Sequence, residues 1–433
     1  NMTPLDIMYG CVDEARYEKM LKLAKDGNVD IIRVWGGGII EKEAFYDLCD
    51  QYGIMIWQEF IQSASGINSV PSKDPRFLAL AEKTAVAAVK EKRNHVSLTF
   101  WSGGNELGDE FHKPAGYEDE NIAMLKSVCD RLNSDVLMLP TSASGPSEIN
   151  VPGKPEMNHD IHGPWKYGGP IGHYTHYNES TCMLHSEFGV DGMTNLPMIE
   201  KYLAPENRDK VYTPANNLTW RHHGEWWDTS VRDFKRFGDM TDDLPSFVKV
   251  SQYIQAEGIR YALEAHRRRA WNCCGAIIWQ FNEPWPNVSC TCVVDYECNP
   301  KFAYYYYRDA MKPYHISMRY DKLIWDAGET FDGKLALLDD TKSDKPSKIL
   351  ATVTDQDGKV LASSDSELKF VIPAGTKYFT VKCGASDGER NDENVYLFFV
   401  KGEGRPDADR NAVISLVDDY LKKEKKTEGN RRI

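Results

Sequence analysis

The sequence predicts an α/β protein, a (β/α)8 TIM barrel followed by a small immunoglobulin-like β-sandwich. Short apolar runs alternate with amphipathic helical patterns over residues 1–313, which is typical of a parallel barrel. No G-x-G-x-x-G turn follows the first predicted strand, which disfavours an open dinucleotide-binding sheet. Beyond Pro313 short strands alternate with turn pairs such as Asp357-Gly358, a pattern typical of a sandwich.

The barrel elements follow one another in order along the chain. Residues 4–9 are predicted as the first strand, and Asp13 caps a helix that ends at Gly27. The β-branched run 29–35 predicts a buried second strand. The next predicted elements are helix 42–51, strand 54–60, helix 75–93, strand 96–101, helix 118–132 and strand 136–141.

The second half of the barrel is less regular. Residues 160–162 and 182–186 are predicted as the sixth and seventh strands, and a loop-rich insertion follows them. Residues 247–269 then predict a long helix, and residues 275–281 the eighth strand.

Three domains are expected: the barrel 1–313, the sandwich 314–402 and a charged C-terminal tail 403–433. Within the tail, residues 412–421 have the pattern of a helix. The predicted strands of the sandwich are 334–338, 348–354, 360–364, 368–372, 378–383 and 394–400.

Composition and charge exclude several classes of function. The net charge is −13, and an acidic chain repels phosphate backbones, so no nucleic-acid partner is expected. The longest apolar run, 274–281, is too short to cross a bilayer, so no membrane span is expected. No signal-peptide pattern is visible. The compartment stays open, with a periplasmic or secreted parent protein as the working expectation.

Ten cysteines are far too few for a disulfide scaffold in a chain of 433 residues. Cys290 and Cys292 form a C-x-C pair rather than a zinc-binding C-x-x-C, and no histidine follows at zinc spacing. Thiols are therefore expected, with a disulfide as the alternative. No metal and no cofactor are predicted.

Acidic residues at strand ends are the candidate catalytic groups, because barrel enzymes react at the carboxyl ends of their strands. Glu106 follows the fourth predicted strand and Glu187 ends the seventh. Two carboxylates across a barrel mouth can cleave a glycosidic bond, and Arg33 on the second strand would keep one of them ionised. A strand-end glutamate can equally solvate a loop, so position alone leaves several barrel chemistries open.

Several ordered motifs resemble glycoside hydrolase family two, in its β-mannosidase and exo-β-glucosaminidase branch. The motifs are IRVWGGGIIE (32–41), FYDLCD (45–50), YGIMIWQEF (52–60), Asn94-His95, FWSGGNE (100–106), LHSEFG (184–189) and GAIIWQFN (275–282).

The resemblance implies a retaining, exo-acting β-glycosidase with an oligosaccharide or glycoside substrate, and a β-mannoside is the expected substrate. Glu106 matches the acid/base and Glu187 the nucleophile. Asn105 matches the residue that binds the sugar 2-hydroxyl, Trp279 the platform ring, and Arg33 the arginine beside the nucleophile.

The family usually carries a sugar-binding sandwich and an immunoglobulin-like domain before its barrel. The chain begins at the barrel, so it is expected to be a fragment whose partners include the missing N-terminal domains of the same protein. The segment 283–292 departs from the mannosidase pattern, which leaves the identity of the sugar open.

Further residues at strand ends are candidates for substrate binding. Trp35 and Trp57 are predicted pocket walls, with core packing as the alternative, and Gln58 would face the sugar or orient another side chain. His162 and Trp165 end the sixth strand and are predicted to line the pocket. Behind the catalytic pair, supporting roles are expected for Glu59 and Glu283.

Two tryptophans of the loop-rich insertion are also candidates. Trp226 and Trp227 would form a leaving-group subsite or simply pack the loop.

Two classes of function remain after these observations. One is the glycosidase, and the alternative is a carbohydrate-binding barrel without turnover because the N-terminal sugar-binding domain is absent. A third class, a metal-dependent hydrolase, needs clustered ligands, and no H-x-H pattern occurs at a strand end. The presence of both carboxylates favours the glycosidase.

Overall fold

A computed structural model gives the architecture of the chain. The predicted subsite residues Trp226 and Trp227 lie outside the described residues. The described residues are 1–64, 68–109, 113–224, 228–341 and 343–431.

The first part of the chain is a parallel barrel. Its strands form one sheet of order β1-β2-β3-β4 and a second of order β5-β6-β8, while β7 and β9 form a separate antiparallel ribbon. The strands are β1 Ile31–Val34, β2 Met55–Glu59, β3 Leu98–Ser102, β4 Leu137–Leu139, β5 Asp160–His162, β6 Leu184–Phe188, β7 Gly192–Met193, β8 Gly275–Ile278 and β9 Ser289–Cys290.

The position before β1 is filled by the first residues of the chain, and the prediction of a strand at 4–9 is wrong. The N–H of Met2 donates to the carbonyl of Arg33 over 2.8 Å, and the N–H of Phe281 donates to the carbonyl of Asn1 over 2.8 Å. The proline within 4–9 has no N–H to give to a ladder. Asn1 and Met2 therefore connect the segment after β8 to β1 and complete the ring between them.

Helices surround the barrel, and their ends follow the sequence signals. The carboxylate of Asp13 accepts the N–H of Arg16 at the start of α1, and Gly27 ends that helix, as predicted. The helices are α1 Glu14–Asp26, α2 Glu43–Tyr52, α3 Pro75–Lys92, α4 Glu120–Leu132, α5 Gly172–Glu179, α6 Leu196–Tyr202, α7 Leu218–His222, α8 Thr229–Phe237, α9 Leu244–Arg267, α10 Phe302–Ala310 and α11 Arg410–Arg431.

Two sheets follow the barrel, of order β10-β12-β15 and β11-β17-β16-β13-β14. The ring of Phe331 contacts the rings of Phe379 and Phe398 at centroid distances of 5.3 and 4.9 Å, so the sheets share a core. The sequence prediction missed the first two of these strands. The strands are β10 Tyr314–Arg319, β11 Ile324–Trp325, β12 Thr330–Asp339, β13 Lys348–Asp355, β14 Val360–Ser364, β15 Glu367–Val371, β16 Tyr378–Ser386 and β17 Asn391–Val400.

The C-terminal helix α11 is longer than the predicted 412–421 and packs on the rest of the chain. Val413 and Val417 are buried on one face. Ion pairs join Lys249 to Asp418 and Arg308 to Glu424. This segment is therefore part of the folded body.

The ten cysteines all lie in the described part of the chain, and each is a thiol. No helix among the described residues is both long and apolar enough to cross a membrane.

Candidate active site

Arg33 is the centre of a buried polar cluster at the carboxyl ends of the barrel strands. Its side chain is fully buried and donates to Oε2 of Glu187 over 2.7 Å and to both oxygens of Glu59 over 3.1 Å. A further bond of 2.5 Å reaches Oδ1 of Asn105. Burial alone would lower the pKa of Arg33, but the two carboxylates outweigh it and raise the pKa. The guanidinium therefore stays charged and fixes three predicted site residues around it.

Glu187, at the end of β6, is held by two donors. Arg33 donates to Oε2, and the indole N–H of Trp165 donates to Oε1 over 2.8 Å. Its side chain is only 6% exposed. Hydrogen bonds on both oxygens suit a carboxylate anion and fix its plane.

Glu106 lies opposite Glu187 across the barrel mouth. One carboxylate oxygen of Glu106, one of Glu187 and a ring nitrogen of His162 all lie within 4.8 Å of one another. Glu106 has a φ of 52°, and its N–H donates to the carbonyl of Ser142 over 2.5 Å. The side chain of Glu106 is 21% exposed, so it reaches solvent more readily than Glu187.

His162, from β5, lies between the two carboxylates. Its Nδ1 is 2.9 Å from Oε1 of Glu106 and 3.7 Å from Oε2 of Glu187. Burial lowers the pKa of His162 to about 4, although Glu187 opposes the shift. The imidazole is therefore neutral at pH 7, and its Nε2 lies 3.0 Å from the hydroxyl of Ser142.

Glu59 lies behind Arg33, as expected from the sequence. Burial raises the pKa of Glu59 to about 6, against the effect of Arg33. The N–H of Gly36 and the hydroxyl of Ser102 donate to its carboxylate over 2.8 and 3.1 Å. A Cβ at Gly36 would lie 2.7 Å from the carbonyl oxygen of Phe60, so glycine allows this close approach.

Trp35 and Trp279 form an aromatic corner beside the carboxylates. Their rings lie 5.3 Å apart at 70°, and both residues are partly exposed. The indole N–H of Trp35 has no hydrogen-bond partner among the described residues. The corner offers a ligand an apolar face, whereas the indole nitrogen of Trp35 is itself buried.

Trp57 and Gln58 do not line the open site. Trp57 is 2% exposed, donates to the hydroxyl of Ser102 over 3.0 Å and packs 5.8 Å from the Arg33 guanidinium. It is therefore a core residue, the alternative left open by the sequence. Gln58 accepts the hydroxyl of Tyr46 over 2.5 Å and so faces helix α2. Successive residues of a strand point to opposite sides, which turns Gln58 away from the barrel interior.

Sequence analysis missed a hydroxyl chain behind His162. The hydroxyl of Ser142 donates to that of Ser186 over 3.2 Å, and Ser186 donates to the carboxylate of Asp160. Asp160 lies two residues before His162 and Ser186 one residue before Glu187, so nearness in sequence could have signalled these two. Ser142 follows β4 and has no such neighbour.

Three buried groups of donor atoms have a spacing that could hold a metal ion. The first is formed by the site residues Glu106, His162 and Glu187. The second consists of Cys182, His266 and Cys273, and the third of Glu283, Cys290 and Cys292. An arginine already contacts the first two groups: Arg33 binds Glu187, and the guanidinium of Arg269 lies 3.4 Å from the Cys182 sulfur. A metal ion at either place would be repelled by that positive charge.

A parallel barrel with two facing carboxylates at its strand ends is an arrangement suited to glycoside hydrolysis. The chain belongs to glycosyl hydrolase family 2. The family described as "Glycosyl hydrolases family 2, TIM barrel domain" matches residues 11–239, and the resemblance seen in the sequence is confirmed.

Similar proteins agree with this assignment. Beta-mannosidase B of Aspergillus niger is 28% identical over 345 residues, which cover 74% of this chain and 40% of that protein. A beta-D-mannosidase from Dictyoglomus thermophilum has a similar structure, with a TM-score of 0.71, 25% identity, and coverage of 92% of this chain and 49% of that one. The exo-chitosanase CsxA of Amycolatopsis orientalis shares the fold, with a TM-score of 0.67, 17% identity, and coverage of 90% and 47%. The chain thus spans about 40% of the curated relatives' length.

Proposed function

We propose that the chain carries the catalytic barrel of a retaining, exo-acting β-glycosidase. The observation that supports this is the short distance between Glu106 and Glu187: one carboxylate oxygen of each lies within 4.8 Å of the other. Retaining enzymes keep their carboxyl groups about 5 Å apart, whereas inverting enzymes need roughly 6.5–9.5 Å to admit a water molecule. The shorter distance supports attack by Glu187 itself.

The reaction would proceed in two displacements. In the first, an oxygen of Glu187 bonds to the anomeric carbon, the glycosidic C–O bond breaks, and Glu106 gives its proton to the leaving oxygen. In the second, Glu106 removes a proton from water, the water oxygen bonds to the anomeric carbon, and the ester to Glu187 breaks. Both carboxyl groups then return to their starting states.

The surrounding residues would bind the terminal sugar. Asn105 has its Oδ1 fixed by Arg33 and its Nδ2 3.2 Å from the hydroxyl of Ser63. A bond from Asn105 to the 2-hydroxyl would strengthen as the ring gains positive charge, which lowers the barrier. The corner of Trp35 and Trp279 would take an apolar sugar face.

A β-mannoside is the proposed substrate because the curated relative described above is named beta-mannosidase B and the similar structure from Dictyoglomus thermophilum is a beta-D-mannosidase. The test is a panel of 4-nitrophenyl β-glycosides, carrying mannose, glucosamine, galactose or glucuronic acid, assayed on the full-length protein. Release of 4-nitrophenol from the mannoside alone is expected. Glu187→Gln should abolish it, while the exposed control Glu200→Gln keeps it.

A carbohydrate-binding barrel without turnover is the second candidate. Its support is that the chain spans about 40% of the relatives' length, so these residues do not supply any sugar contact that the relatives make outside the matched span. That function predicts that the chain binds mannose or an oligosaccharide in calorimetry and yet releases no 4-nitrophenol. Hydrolysis that disappears in Glu187→Gln excludes it.

We also propose the division of the chain into the barrel 1–313, an immunoglobulin-like sandwich 314–402 and a C-terminal segment 403–433. The shared phenylalanine core of the two sheets supports the sandwich. Limited proteolysis should cut near residues 313 and 402 before it cuts inside the sheets.

A further inference from the structure

A chain of hydrogen bonds runs from Asp160 to the candidate acid Glu106, and Asp160 is its fixed end. Asp160 is buried at the start of β5, and its Oδ2 accepts the N–H of Ser144 over 2.7 Å and the hydroxyl of the same serine over 3.0 Å. Its Oδ1 accepts the hydroxyl of Ser186. Because donors face both oxygens, Asp160 can only accept within this chain.

Because Asp160 only accepts, it fixes which residue donates in each hydrogen bond from Ser186 to His162. A serine hydroxyl has one hydrogen, and Ser186 uses it on Asp160, so Ser186 accepts from Ser142 over 3.2 Å. Ser142 has then used its own hydrogen, and its oxygen accepts from Nε2 of His162 over 3.0 Å. The neutral imidazole has a single N–H, which leaves a lone pair on Nδ1.

That lone pair points at Glu106, whose Oε1 is 2.9 Å away. A protonated Glu106 can donate to it, whereas a carboxylate would place two acceptors against each other. We propose that Asp160, Ser186 and Ser142 are positioning residues that hold His162 in its Nε2–H tautomer and thereby keep Glu106 protonated as the general acid. This inference rests on the proposed function of Glu106.

The same arrangement serves the second displacement. Once Glu106 has given up its proton, its carboxylate faces the Nδ1 lone pair, and this contact is relieved when Glu106 takes a proton from water. The other charged or titratable groups around His162 are Glu187, Arg33 and His185. These three residues are unchanged in variants of Asp160 or Ser142, so a change in the pH profile of such a variant reports on the hydrogen bonds of the two serine hydroxyls.

Asp160→Asn should reverse the direction of the hydrogen bonds between residue 160 and His162. The two donors of Ser144 would hold the amide oxygen at the place of Oδ2, so the amide nitrogen faces Ser186 and donates to it. Ser186 then donates to Ser142, Ser142 donates to Nε2 of His162, and the ring proton moves to Nδ1. His162 would now donate to Glu106 and favour its carboxylate.

The kinetic test is the alkaline limb of kcat/KM, which reports the acid in the free enzyme. Asp160→Asn should move this limb to lower pH by about one unit, and Ser142→Ala should move it in the same direction. The loss of rate should be larger for an alkyl glycoside than for a dinitrophenyl glycoside, whose leaving group needs no proton. The matched control is Ser317→Ala, a buried serine in β10 that donates to a backbone carbonyl.

The direct test is nitrogen NMR of protein labelled with 15N-histidine, with His162→Gln to assign the signal. We expect Nε2 protonated and Nδ1 bare in the wild type, and the reverse in Asp160→Asn. A protonated Nδ1 in the wild type overturns the proposal, and so does an unmoved alkaline limb in a folded Ser142→Ala or Asp160→Asn. If no glycoside is cleaved but the Nε2–H tautomer is seen, the proposed function fails while the hydrogen-bond direction stands.

Discussion

The indole N–H of Trp165 donates a 2.8 Å hydrogen bond to Oε1 of Glu187. The other oxygen of Glu187 accepts from Arg33 over 2.7 Å. A neutral donor from the segment after β5 and a charged donor from β1 thus fix the plane of the carboxylate. In the proposed mechanism Glu187 is the nucleophile, and a nucleophile oriented before substrate arrives loses less freedom on reaching the transition state.

Trp165→Phe keeps an aromatic ring and removes this donor. A hydrogen bond to a charged group contributes roughly 1.5–3 kcal/mol, so kcat/KM for the best aryl glycoside should fall about tenfold or more. Thermal unfolding should change little. The control Trp271→Phe alters a tryptophan that is 83% exposed and should keep the wild-type rate. An unchanged kcat/KM in Trp165→Phe would remove Trp165 from the site.

Arg33→Met leaves Glu59 and Glu187 buried without their shared cation. Removing one partner of a buried ion pair costs about 3–5 kcal/mol, so the free energy of unfolding should fall by that amount in urea titrations. Arg33→Lys restores the charge without the planar fork and should lose less stability while remaining slow. A change of less than about 1 kcal/mol in Arg33→Met would contradict the central position given to Arg33.

Trp57→Phe distinguishes a core residue from a pocket wall. The change removes packing volume and leaves the hydroxyl of Ser102 without its indole donor, so the free energy of unfolding should fall by about 1–3 kcal/mol. The KM should stay close to that of the wild type. Trp279→Ala should do the opposite and raise KM, since its ring faces the open corner. A raised KM in a fully stable Trp57→Phe would return Trp57 to the pocket wall.

His173 should make the fold sensitive to acid. Burial lowers its pKa to about 4, although a hydrogen bond to the carbonyl of Gly258 opposes the shift, and the unfolded value is 6.5. The folded protein therefore resists protonation, so stability is complete above pH 6.5 and is lost as pH falls towards 4, by about 3 kcal/mol.

His173→Gln should flatten that part of the curve, as measured by the free energy of unfolding between pH 7 and pH 4. His222→Gln, which changes an exposed side chain, should leave the slope as in the wild type. Equal slopes in the wild type and His173→Gln would show that His173 is not the group that protonates.

Local signals were sufficient to predict much of the barrel. Asp13 and Gly27 mark the ends of α1, and Glu106 and Glu187 follow apolar runs that become strands. The segment 4–9 misled the analysis because its apolar residues resemble a strand, while the ring is closed by the bridge between Met2 and Val34. That bridge is a long-range contact with no local pattern.

The residues of the candidate site likewise divide into those that local sequence signals predict and those that depend on long-range contacts. Motif position singled out the two carboxylates, Arg33 and Asn105 because each ends or follows a strand, and the structure brings their side chains together. Gln58 also lies near the end of a strand, yet its side chain points outward to Tyr46. Side chains alternate between the two faces of a strand, so a position near the strand end does not say whether a residue points into the barrel. The hydroxyl chain through Ser142 depends on hydrogen-bond distances across three strands, which the order of residues does not encode.

The most direct test of the account is mass spectrometry of the full-length protein after incubation with 2-deoxy-2-fluoro-β-mannosyl fluoride, which slows breakdown of the glycosyl-enzyme. The account predicts a mass increase of one fluorosugar per chain, with the label on the peptide that contains Glu187. Glu187→Gln should carry none. Hydrolysis of β-glycosides without any adduct, or an adduct on another carboxylate such as Glu59, would contradict the account.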